Sequence, residues 1–129
     1  MSIEWQDAYK IGNAEADASK KALFELANEI IAEDDWIALR PKIIALFKQM
    51  QKQFDLEDAL MAQVAYPEAK VKAHAEAHHQ FLMRLRDRSM DVGKGHMNKK
   101  AIVGVMTDWA EQHVTTDDVQ LAQALAVSA

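Results

Sequence analysis

QFDLEDALMAQVAYPEAKVKAHAEAHHQF, residues 53–81, reads as the end of one helix, a corner at Tyr66-Pro67 and the start of the next. Proline disfavours helix in the residue before it and suits the first turn of a helix that follows. Glu57 stands one turn after Gln53, and His78 one turn after His74, so each pair shares a helix face. Two facing helices thus each offer a pair of polar side chains to one point. Bundle proteins build metal sites in this way, from carboxylates and imidazoles projecting into the core. The same His-x-x-x-His spacing also occurs on solvated helix faces, so the rest of the chain has to decide.

Upstream, Ile43, Ile44, Phe47, Met50, Phe54, Leu60 and Met61 carry a helical period that runs to about Ala65, with Pro41 fitting its first turn. Trp36 to Arg40 is expected to form a separate helical turn before it. Leu23, Leu26, Ala27, Ile30 and Ile31 mark an earlier helix from about Ala14 to Ala32. Residues 1–12 hold Trp5, Tyr9 and Ile11 without a helical period, as an arm lying along the body of the fold. Downstream, the third helix runs from Glu68 to about Met90, and Gly93-Lys94-Gly95 signals a loop in which His96 is solvated. A fourth helix follows from about Asn98 through Ile102, Val105, Met106, Trp109 and His113. Thr115-Thr116-Asp117-Asp118 is expected to interrupt it, with Thr116 capping a last short helix over Val119 to Leu125. The expected fold is all-α: an antiparallel up-down-up-down four-helix bundle with an N-terminal arm and a short C-terminal helix, in one domain spanning 1–129.

Composition narrows the chemistry. With 129 residues, half of them apolar, the chain can bury a core without staples. The absence of cysteine excludes disulfides, thiolate zinc sites and iron–sulfur clusters, so a metal here takes nitrogen and oxygen ligands, which suits iron, zinc, manganese or copper. A net charge of −5 with scattered basic residues argues against nucleic acid as a partner. MSIEWQDAYK lacks a cationic-then-apolar signal pattern and no apolar run approaches a membrane span, so the expected location is the cytoplasm. No nucleophile stands with a paired base, and hydrolytic or acyl-transfer chemistry has no support.

His113 and Asp118 join the polar set. Five residues apart, they sit about 140° from one another on a regular helix; the Thr-Thr break would let them turn to one point. Glu57, His74, His78, His113 and Asp118 then form a group of three imidazoles and two carboxylates suited to a first-row divalent metal. The alternative is that they are scattered surface residues. His79, about 100° round the helix from His78, is expected to be exposed or behind the ligands.

Trp5, Ile11-Gly12, Asp17, Leu23-Phe24, Phe54-x-x-Glu57, Met61, Tyr66-Pro67, His74-x-x-x-His78, Phe81 and Trp109-x-x-x-His113-x-x-x-x-Asp118 stand in the order and spacing of the hemerythrin family in its bacterial form, which the chain resembles over nearly its whole length. The resemblance implies a bundle that binds dioxygen at two iron ions. It implies His74, His78 and His113 as ligands of one iron and Glu57 and Asp118 as bridging carboxylates, with Phe54 and Trp109 walling the pocket.

The chain departs from that pattern at the second iron. The family's two histidines there correspond to Lys20, in Asp17-Ala18-Ser19-Lys20, and to Gln53. A lysine ammonium is no ligand. One divalent ion plus the Lys20 ammonium, less Glu57 and Asp118, sums to about +1, as does a diferrous centre with two carboxylates and a hydroxide. Lys20 is therefore expected at the second-metal position, paired with Glu57 and Asp118; the alternative is that it snorkels to the bundle end.

The resemblance then implies a non-haem iron protein with one ion, binding or sensing a small diatomic ligand such as O2 or NO, or peroxide. Two alternatives remain open: a structural or interaction domain holding zinc or no metal, and an oxygen-binding di-iron protein whose second ion is completed by Gln53 and a water.

Overall fold

The structure is a computed structural model that describes residues 3–93 and 99–128. Four helical runs pack as a bundle, and no strand occurs among the described residues. They are α1 (Ala14–Ala32), α2 (Trp36–Gln63), α3 (Glu68–Gly93), and a last run of α4 (Lys99–Asp108), a π-helical segment (Trp109–Asp117) and α5 (Asp118–Ser128). Successive helices pack on one another and α1 also meets α4, closing a ring. No helix among the described residues is long and apolar enough to cross a membrane.

The arm lies along the body as expected. Trp5 and Tyr9 pack on Phe24 with ring centroids 5.4 and 5.5 Å away. The Asp17 carboxylate accepts from the Ile11 N–H at 2.7 Å and the Gly12 N–H at 3.3 Å, while Gly12 turns the chain at φ +94°, a conformation few L-residues tolerate. Asn13 caps α1 by accepting from the Ala16 N–H. These three residues fix the arm against the start of α1.

Two expectations need correction. Trp36 to Arg40 is no separate turn: Asp35 caps at the Ile37 N–H, α2 begins at Trp36, and Pro41 lies within the helix. The carbonyl that proline cannot serve belongs to Ile37, which is 69% exposed and open to water. Nor do the two threonines break the last helix. Their hydroxyls bond back to the Glu111 and Gln112 carbonyls, and the chain continues in the wider π register. His96 and the loop glycine Gly95 lie outside the described residues.

The corner after α2 closes as a Schellman turn: the Tyr66 N–H donates to the Met61 carbonyl at 3.1 Å, and the two side chains share an apolar cluster. Ala65 takes the left-handed position at φ 51°, where glycine is favoured. Ala65→Gly is therefore expected to stabilise the fold by about 1 kcal/mol, read as a shifted denaturation midpoint at unchanged slope. A lower midpoint would contradict this geometry.

Candidate metal centre

The apolar interior is divided in two. The larger cluster runs from Leu23 and Phe24 through Leu46 and Phe54 to Ile102 and Trp109; the smaller holds Ile11, Ala16, Leu60, Met61, Tyr66 and Leu121. At or beside the junction of the two clusters, along each helical run, fall seven buried polar residues. Lys20 lies on α1, Gln53 and Glu57 on α2, His74 and His78 on α3, and His113 and Asp118 on the last run, each at most 3% exposed. A polar layer thus crosses the bundle where a continuous core would otherwise stand.

The five expected ligands converge. His74, His78, His113, Glu57 and Asp118 each offer an atom to a group whose members all lie within 4.8 Å of one another. Glu57 Oε1 is 3.0 Å from His74 Nε2, 3.1 Å from His78 Nε2 and 3.7 Å from His113 Nε2. Asp118 Oδ1 is 3.3 Å from His74 Nε2 and 3.1 Å from His113 Nε2, and the His78 and His113 Nε2 atoms stand 3.1 Å apart. Neighbouring donors at right angles around an ion with bonds of about 2.1 Å lie about 3 Å apart. The donor set fits a divalent metal, in both spacing and chemistry.

The π register explains how the last two ligands meet. The Asp118 N–H donates to the His113 carbonyl five residues back. That i→i+5 bond stacks residues which a regular helix would hold about 140° apart. The Thr-Thr break expected from the sequence is replaced by a widened helix with the same effect.

The remaining carboxylate oxygens meet protein donors. Glu57 Oε2 accepts from Gln53 Nε2 at 2.7 Å, and Asp118 Oδ2 forms an ion pair with Lys20 Nζ at 3.0 Å without hydrogen-bond geometry, the ammonium donating instead to the Tyr9 carbonyl at 3.1 Å. Lys20 is fully buried, so it does not snorkel. Its expected pairing holds for Asp118 only; Gln53, one turn away on the same helix, serves Glu57.

Around the ligands, Phe54 stacks on the His78 ring at 3.8 Å and 5°, and Phe81 meets His113 edge-on at 5.8 Å. Trp109 packs instead on Phe24 in the larger core. His79 is exposed. Two carboxylates missed in the sequence stand behind the imidazoles. Asp117 Oδ2 is 2.9 Å from His113 Nδ1 and Asp58 Oδ1 is 3.5 Å from His78 Nδ1, the latter without hydrogen-bond geometry. The i,i+4 spacing of Asp117 from His113 was the available signal.

Burial opposes charging of the imidazoles, but close acidic neighbours outweigh it. Asp117, Asp118 and Glu57 raise His113 to about 11, and Asp118 with Glu57 raises His74 to about 9. Burial likewise opposes the Glu57 charge, and bonds from the three imidazoles hold its carboxyl well below the usual range.

Comparison of the chain with protein-family models, curated proteins and solved structures finds no match. Fold and site define the class: a helical bundle with a buried cluster of three histidines and two carboxylates that could hold a metal ion.

Both raised imidazoles lie above neutral pH, so each must lose its proton before it can ligate. Binding of a divalent ion to the apo-protein at pH 7.5 is expected to release about two protons, and affinity to rise up to about a hundredfold per pH unit between 7 and 9. Calorimetry in buffers of different ionisation enthalpy checks this; a pH-independent affinity would refute it. Asp117→Asn, which weakens the orienting partner of His113, is expected to lower metal affinity about 10–100-fold in a chelator competition, without unfolding the bundle.

Proposed function

We propose that this chain is a hemerythrin-like protein, an antiparallel up-down-up-down bundle in the cytoplasm that holds non-haem iron and binds or senses a small diatomic molecule or peroxide. The observation that carries this is the convergence of three imidazole Nε2 atoms and two carboxylate oxygens from three helical runs on one buried point. The packing of each helix on its successor, across short connections, supports the up-down order.

Iron held there would supply a redox-active centre with an affinity for O2, NO or peroxide. The protein's part is selection and orientation. These five donors would hold the ion and would leave it room for one small ligand. His113 is aimed by Asp117, and the rings of Phe54 and Phe81 keep the surroundings apolar. Because every ligand side chain is buried, only the smallest molecules reach the point by thermal opening of the bundle.

The test is reconstitution of the apo-protein with ferrous iron under argon, elemental analysis after desalting, and absorption and electron-spin-resonance spectra before and after NO or air. Retained iron whose spectra respond is the expected result, with retention lost in His113→Ala. Retained iron that responds to neither gas, or a chain that takes up zinc but not iron, would replace this proposal with a structural metal site.

A further inference from the structure

Each of the two carboxylates has two oxygens, and the ligand cluster uses one of each. The second oxygens decide how many ions the layer can hold, because a carboxylate that joins two metals gives one oxygen to each. Here both second oxygens are engaged within the protein. Gln53 Nε2 holds Glu57 Oε2 at 2.7 Å, and Lys20 Nζ stands 3.0 Å from Asp118 Oδ2.

Neither donor is free to leave. Lys20 and Gln53 are fully buried, and the ammonium is held from its other side by the Tyr9 carbonyl. The arm that supplies this carbonyl is itself tied down by Asp17 at Ile11 and Gly12. Charge points the same way. With one divalent ion, Lys20, Glu57 and Asp118 sum to about +1, whereas a second ion beside the ammonium would bring the buried layer to about +3.

We infer that Lys20, with Gln53, limits this centre to a single divalent ion: the ammonium and the amide occupy the carboxylate oxygens through which a second ion would be bridged. Lys20 is a specificity-determining residue that never touches the metal. The inference rests on the cluster being a metal centre and adds which side chains set its stoichiometry. Two observations stand against it: the Lys20 contact with Asp118 Oδ2 is an ion pair without hydrogen-bond geometry, and Gln53 Oε1 is buried without a hydrogen-bond donor among the described residues, where an amide oxygen can serve a cation.

Cobalt(II) titration of the 129-residue apo-protein, followed by visible absorption and by elemental analysis after desalting, separates these outcomes. One cobalt per chain is expected for the natural sequence, and two for Lys20→His/Gln53→His with an unchanged far-ultraviolet circular dichroism spectrum. Two cobalts in the natural chain, or one in the folded double variant, would overturn the inference while leaving the metal centre intact. No cobalt in the natural chain would instead remove the metal centre itself, and the inference with it. Should that variant not fold, Lys20→Ala/Gln53→Ala, which frees both second oxygens, is read in the same way: a second ion supports the inference, and a folded variant limited to one refutes it.

Discussion

Two carboxylates buried beyond the reach of water are the constraint to which the polar layer of this bundle answers. A lone buried carboxylate costs several kcal/mol, and neither Glu57 nor Asp118 is more than 1% exposed. Every other polar residue of the layer meets one of them. His74 lies near both, His78 near Glu57, His113 near Asp118 most closely, Gln53 on Glu57 and Lys20 on Asp118. The apolar clusters on either side then exclude water from the layer, which strengthens each of these contacts.

The arrangement also balances charge in a simple way. With His74 and His113 protonated beside Lys20, the buried charges sum to about +1; with both imidazoles neutral and a divalent ion between them, the sum is again about +1. Two protons and one divalent ion are electrostatically equivalent occupants.

Much of this was legible in the sequence because it depends on local periodicity. The four-residue spacings of Gln53 with Glu57 and His74 with His78, on either side of a proline corner, fix faces, and all five expected ligands converge. What was not legible depends on tertiary choice or on backbone register. Pro41 reads as a helix start, yet the Asp35 cap begins the helix earlier. The division of labour between Lys20 and Gln53 follows from which carboxylate oxygen each can reach. Trp109 and Phe81 have equal claim to the pocket by composition, but ring packing puts Phe81 against His113 and Trp109 on Phe24. An i→i+5 register leaves no trace in a hydrophobic pattern, so a break stood in for it.

That register ties the centre to chain length. Between Trp109 and Asp117 the backbone carries surplus contour that a regular helix has no use for, and the surplus brings Asp118 round to its partners. A chain one residue shorter in this segment could settle into ordinary helix at no cost in backbone hydrogen bonding. It would then hold Asp118 four residues from His113, about 40° apart on a regular helix, so the two would still share one face. It is the same number of residues wound as ordinary helix that would uncouple the centre, holding Asp118 about 140° from His113 with no ligand mutated.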